Sequence, residues 1–410
     1  MRAVRGVSSG EYSRPRLQRM HDVLRSHVAR GDMPGLVALV SRCGETHVEA
    51  LGQLAFEGNA PMSRDSIFRI ASMSKPITAA AAMILVEDGT VALDEPVARF
   101  LPELAEPRVL KSLESPVSDT VPAVRPITVR HLLTFTMGTG AVMAFPPKYP
   151  IQQAQIEAGV APGPDLPDFP ADEFMRRIGS LPLVYQPGER WLYHTGSDVL
   201  GVLIARASGG SLGDFLRERL FEPLGMVDTG FEVPVAKLDR LSSSYRRDPK
   251  ENTLVLYDDA RASRWSRPPK FEAGGGGLVS TADDYLAFLR MMLNKGLAGA
   301  ANGRERVLSR AAVELMMSDQ LTAGQKLGTE IFFGQGAASW GLGGAVVLRR
   351  THLYATPGRY GWDGGYGTSA HADPAEDLVG VLLTQRMMES PEPPRVFTDF
   401  WTTAYAAIND

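Results

Sequence analysis

Phe68-Arg-Ile-Ala-Ser72-Met-Ser-Lys75-Pro-Ile-Thr78 leads from a short apolar run, 66–70, into the Ala-rich stretch Ala79-Ala-Ala-Ala-Met-Ile-Leu-Val-Glu-Asp-Gly89. The pattern predicts a strand, a turn and then a buried helix. Pro76 falls in the first helical turn, where a missing N–H costs nothing, and Gly89 ends the helix. Residues three apart share a helix face, so the Ser72 and Lys75 side chains can meet. At the first turn, free backbone N–H groups and the helix dipole favour developing negative charge. A serine hydroxyl becomes a nucleophile only with a base in reach. Lysine can be that base once burial and neighbours lower its reference pKa of about 10.4 by about three units, roughly 4 kcal/mol. S-x-x-K alone recurs by chance, the plain alternative being an N-capping serine followed by a surface lysine. A lysine opening so apolar a helix favours the chemical reading.

Upstream, Leu17, Met20, Leu24 and Val28 repeat at helical spacing before Gly31, and strand-like runs follow at 35–42 and 46–52. Cys43 closes an apolar run and is expected to be a buried strand residue. Downstream, 91–190 holds short helical pieces such as 127–135 and 171–179. The stretch 145–170 has seven prolines, which predicts a loop or lid shaping a pocket. Firm helices are expected through Asp198–Ala207 and Ala282–Leu293, the second capped by Ser280-Thr281. Strands are expected at 344–350, 364–371 and 377–384, and a last amphipathic helix at 394–408. Late strands joined by short turns imply an antiparallel sheet covered by helices from both chain ends. The predicted class is α/β of the α+β type. Residues 1–90 with 274–410 form the sheet domain, 91–273 form a mostly helical domain, and the site lies in the cleft between them.

The bulk composition narrows the function. The chain has 410 residues, 44% hydrophobic and 22% charged, with a net charge of −4. Only eight of its basic residues are Lys, and the arginines are scattered, so no nucleic-acid partner is expected. One cysteine excludes an intrachain disulfide, and the seven histidines show no metal-ligand spacing, so neither metal nor cofactor is expected. The N-terminus lacks the apolar core of a signal peptide, and no apolar run reaches the roughly 18 residues that span a bilayer. The expectation is a cytoplasmic protein with no membrane partner; no oligomeric state follows.

Phe68–Thr78 resembles the active-site helix of class C β-lactamases, penicillin-binding proteins and the serine esterases of that fold, the family VIII carboxylesterase type. Three more stretches agree in order and spacing: Leu132-Leu-Thr-Phe-Thr-Met-Gly138; Gln186-Pro-Gly-Glu-Arg-Trp-Leu-Tyr193 with Asp198-Val-Leu-Gly201; and Gly275-Gly-Gly-Leu-Val-Ser-Thr281. The resemblance covers about residues 15–390. It implies a β-lactamase/transpeptidase-like fold, with a central antiparallel sheet flanked by helices plus a mostly helical lobe. It also implies an acyl-enzyme on Ser72, with Lys75 and Tyr193 as general base and acid. The family's Tyr-x-Asn is here Tyr193-His194-Thr195, which removes the amide that holds β-lactam side chains. In place of Lys-Thr-Gly stands Gly361-Trp362-Asp363-Gly364-Gly365, similar to the esterase branch. An indole replacing a cation favours neutral, apolar substrates. The resemblance implies an oxyanion hole from the backbone N–H groups of Ser72 and Gly365, and substrate contacts from Trp362, Asp363, Gly364 and His194. A second register, with Arg359-Tyr360-Gly361 in the Lys-Thr-Gly place, would restore a positive charge.

Other motifs read as structure. Gly209-Gly-Ser211-Leu-Gly213 matches G-x-S-x-G, but a helix rather than a strand precedes it, so Ser211 is expected to cap the next helix. Gly274–Gly277 lacks the Lys of a phosphate loop and reads as a flexible approach to the helix at 282. His371-Ala-Asp373 reads as a turn. The expected activity is a carboxylesterase acting on a small-molecule ester. The rivals are β-lactamase or D-amino-acid peptidase activity on a lactam or amide, acyl transfer, and a non-catalytic scaffold of the same fold.

Overall fold

The computed structural model describes residues 12–299 and 305–409. Seven strands form one antiparallel sheet: β1 (Gly35–Arg42), β2 (Glu45–Gly52), β3 (Ala338–Trp340), β4 (Ala345–Val347), β5 (Tyr360–Gly364), β6 (Thr368–Asp373) and β7 (Leu378–Thr384). Their spatial order is β2-β1-β7-β6-β5-β4-β3, so strands from the two ends of the chain meet where β1 pairs with β7. Alternation along a strand sends successive side chains to opposite faces. Leu36, Ala38 and Val40 pack with Leu378 and Leu382 against two terminal helices, α1 (Arg14–Ala29) and α5 (Arg395–Ala406). Val37 and Leu39 join Val379, Val381 and Leu383 in the larger core on the other face. That core holds α2 (Ser74–Glu87), α3 (Thr195–Ser208) and α4 (Ala282–Leu293), through residues such as Ile77, Leu203 and Phe288.

The strand before Ser72 is short. Phe68–Arg69 pairs with Val279–Ser280 only, and the Ile70 N–H donates to the Leu278 carbonyl at 3.0 Å. Arg69 is buried, bonded to Asp258, the Ser242 carbonyl and the Ser263 hydroxyl, and lies over the Trp265 ring. A buried cation needs such a set, because leaving it unpaired costs about 3–5 kcal/mol. It ties the approach to Ser72 to the hairpin Ser244–Arg247/Leu254–Asp258.

Several expectations change. The predicted strand 364–371 is interrupted. β5 stops at Gly364, and Gly367 (φ 94°) turns the chain where a Cβ would lie 2.1 Å from the Arg386 carbonyl oxygen. The run 344–350 contributes only Ala345–Val347, while Ala338–Trp340 adds a strand too short to leave a sequence period. The proline-rich stretch 145–170 contains the helix Pro150–Glu157, opened by Pro150 itself. Cys43 is exposed at the β1–β2 turn with φ 47°, because the strand ends one residue before it. His371 is buried inside β6 rather than in a turn. Ser211 caps the next helix by accepting from the Asp214 N–H, after Gly209 ends α3 in the left-handed region (φ 76°). No single helix among the described residues is long and apolar enough to cross a membrane.

Candidate active site

Ser72 stands in a single 3₁₀ turn, Ala71–Met73, just ahead of α2 rather than inside its first α-turn. Ala71 is held at φ 45°, a conformation costly for a residue with a Cβ, of order 1 kcal/mol. The turn leaves Ser72 partly exposed while Lys75, three residues on, is 1% exposed. The Lys75 Nζ donates to the Ser72 Oγ at 2.8 Å and to the Gly275 carbonyl at 2.6 Å. It also lies 4.6 Å from the centre of the Tyr193 ring. Burial drives the lysine well below its ordinary pKa, and the attraction of Asp198 opposes this in part.

Tyr193 enters from the loop before α3. Its ring packs edge-on against Phe135 at 5.8 Å between ring centres and beside Trp191 at 5.7 Å. Its hydroxyl meets Ser72 and accepts from the Trp362 indole Nε1–H at 2.6 Å. Burial pushes the phenol above its ordinary pKa, so it stays protonated through the neutral range. The two groups beside Ser72 are thus moved in opposite directions, the amine toward its neutral form and the phenol away from its anion.

Asp198, on α3, completes the cluster. Its Oδ1 accepts the Gly275 N–H at 2.8 Å, and the carbonyl of the same glycine receives Lys75. Burial raises this carboxyl, while the Gly275 N–H and Lys75 lower it. Gly275 has no room for a side chain, since a Cβ would come 2.9 Å from the Asp198 Oδ1.

Ser72, Tyr193, His194, Trp362, Asp363 and Gly365 all line one cavity of about 480 Å³. Its other walls are mainly apolar, including Met143, Phe145, Leu166, Phe174, Ile331 and Phe332. No Lys or Arg stands in this lining among the described residues.

The Beta-lactamase family profile matches residues 20–398. The chain belongs to the Beta-lactamase family. Within it, Rv1367c of Mycobacterium tuberculosis is 38% identical over 365 residues, covering 87% of this chain and 86% of the relative. Esterase EstB of Burkholderia gladioli is 33% identical over 378 residues, 88% of each chain. Among solved structures, EstCE1, described as a hydrolase with promiscuous acyltransferase activity, superposes with a TM-score of 0.77 at 25% identity. The match covers 95% of this chain and 98% of that one. The architecture is therefore β-lactamase/transpeptidase-like, a large antiparallel sheet with helices.

In this Beta-lactamase family member the residues picked from sequence occupy different positions. Trp362 and Gly365 face the cavity, but the Asp363 carboxylate turns to the Ser369 hydroxyl, which donates to it at 2.5 Å, and burial raises it. Gly364 does not line the cavity. A Cβ there would meet the Ile70 carbonyl oxygen at 2.3 Å, so the glycine lets β5 abut the turn carrying Ser72. His194 is pushed down to about 3 by burial and Lys75, so it is neutral, with its Nδ1 3.8 Å from the Asp198 Oδ2. Arg359, the cation of the second register, stacks 4.1 Å over Trp401 and does not reach the cavity. Sequence reasoning missed Asp198 as a partner of Lys75, although an acid in so apolar a helix was a signal. It also read Gly274–Gly277 as flexible, whereas Asp198 holds that turn. No group of three or more His, Cys, Asp or Glu side chains among the described residues could hold a metal ion.

Proposed function

We propose that the protein is a serine hydrolase that cleaves neutral, apolar carboxylic esters through an acyl-enzyme on Ser72. The observation that carries this reading is the Ser72 hydroxyl held between the Lys75 amine at 2.8 Å and the Tyr193 phenol, at the wall of an apolar cavity. Its family relatives include an enzyme named as an esterase.

Neutral Lys75 takes the Ser72 proton as Oγ attacks the ester carbonyl carbon. The tetrahedral oxyanion is received by the backbone N–H groups of Ser72 and Gly365, donors worth about 2.7–4 kcal/mol each. The Tyr193 hydroxyl gives its proton to the departing alkoxide and recovers one from Lys75. A water then repeats the sequence on the acyl-enzyme, releasing the acid. Trp362, donating to the Tyr193 oxygen, leaves the phenolic proton free to point at the reacting atoms. The lack of a cation in the lining disfavours a substrate carboxylate and so ranks lactam hydrolysis below ester hydrolysis. Acyl transfer to an alcohol is the second reading, supported by the apolar walls and by the activity named for EstCE1.

The test compares p-nitrophenyl butyrate with a chromogenic cephalosporin. Ester turnover should exceed lactam turnover by at least 100-fold in kcat/KM, and efficient cephalosporin hydrolysis would reverse the assignment. The pH profile follows from Lys75. A protonated amine cannot accept the serine proton, so activity is low at acid pH and rises as the amine deprotonates. Because its pKa is lowered from 10.5, the rise in kcat/KM should be complete well below that value. A rate still climbing near pH 10 would show an unperturbed lysine.

A further inference from the structure

We infer that Tyr366 and Tyr257 are specificity-determining residues that latch a proline-rich strap, residues 159–168, over the cavity and so set the size of ester it accepts; this rests on the esterase reading above. Gly159, Val160, Pro162, Pro164, Leu166 and Pro167 of the strap all face the cavity. No strand and no helix runs through this span, and only Gly159 and Val160 at its start bond back to the preceding helix, so residues 161–168 are not held in place by backbone ladders.

What holds it is a series of side chains from other elements. The buried Tyr366, one residue beyond Gly365, donates its hydroxyl to the Pro164 carbonyl at 2.6 Å. Tyr257, at the end of the hairpin, donates to the Asp165 Oδ1 at 2.6 Å. The two tyrosine rings lie 5.7 Å apart, and Trp265 backs Tyr366 edge-on at 5.9 Å. At the strap's ends, Arg177 donates to the Ala158 carbonyl at 2.8 Å and Lys270 reaches Asp168 at 3.2 Å. The middle of the strap is thus fastened by a neighbour of the reacting groups, Tyr366 being next to Gly365.

The aromatic wall of the cavity is packed more firmly. Phe332, Trp362 and Tyr193 belong to one aromatic cluster with Trp191 and Trp340. Releasing a latch therefore lets the strap retreat while the aromatic wall stays. The cavity enlarges on one side, and bulky esters gain over small ones.

The experiment uses the full chain and its Tyr366→Phe and Tyr257→Phe variants, with p-nitrophenyl acetate and p-nitrophenyl cyclohexanecarboxylate. Tyr257 does not line the cavity, so its variant reaches the substrate only indirectly, through the strap or through the Tyr366 ring it packs against. The expected result is a ratio of kcat/KM, bulky ester over acetate, raised at least fivefold by Tyr366→Phe and at least twofold by Tyr257→Phe. The change should be carried mainly by a lower KM for the bulky ester, with faster amide hydrogen exchange in residues 159–168. Ratios unchanged in both variants, or shifted toward acetate, overturn the inference. If the unaltered chain hydrolyses neither ester, the esterase reading fails on its own. Hydrogen exchange then still decides the latch, because a strap that exchanges no faster in either variant is not held by these tyrosines.

Discussion

Ser72→Ala should lower kcat for p-nitrophenyl butyrate by about 10⁴- to 10⁶-fold, the scale on which removal of a catalytic nucleophile acts. The fold should survive. Ser72 is partly exposed, and its hydroxyl is bonded to Lys75 and stands beside Tyr193, both within the cluster, so the fold does not depend on it. A melting temperature within a few degrees of the unaltered chain would separate loss of chemistry from loss of structure. Intact-mass measurement after a phosphonate probe should show one adduct on the unaltered chain and none on the variant. More than 1% residual activity would point to a different nucleophile. Ser211 is a poor candidate, since its oxygen is engaged in capping a helix.

Lys75→Met should cost about 10²- to 10⁴-fold in kcat, the usual contribution of a positioned acid–base group, with KM changed little. Methionine nearly preserves the buried volume, so the loss reports proton transfer rather than packing. The variant should also lose the rising limb of the pH profile. Lys75 is the lowered group beside Ser72, and Tyr193 is shifted upward, away from the neutral range. Removing the amine takes away one of the two influences that lower Asp198, so that buried carboxyl should move further up and hold its proton. If Lys75→Met keeps the original pH profile, the base is not Lys75, and the mechanism passes to Tyr193 or a water.

Much of the fold was legible because its signals are local. The apolar stripe of α1, the continuous apolar run of β1, the Ala-rich α2 and the Ser280-Thr281 cap of α4 each lie within a short stretch of chain. The misreadings share a cause. Cys43 looked like a strand residue because apolar neighbours do not mark where a strand stops, and the turn at Gly365–Gly367 looked like strand because its glycines were flanked by strand formers. Gly274–Gly277 looked flexible since nothing nearby in sequence announces that Asp198 will hold it.

Ser72 and Lys75 were visible as a pair because a three-residue step along a helical turn brings two side chains together whatever surrounds them. Everything that makes the pair reactive comes from distant chain. The Gly275 carbonyl that receives Lys75 is 200 residues away, the Trp362 donor is 169 residues from Tyr193, and Tyr366 is 202 residues from the strap it holds. The sequence by itself determined the longer elements and the nucleophile's partner, through short-range sterics and periodicity. Which strand edge, glycine turn and proline loop converge on that partner was decided by tertiary packing, because burial and electrostatic shifts depend on neighbours that only the closed core brings near.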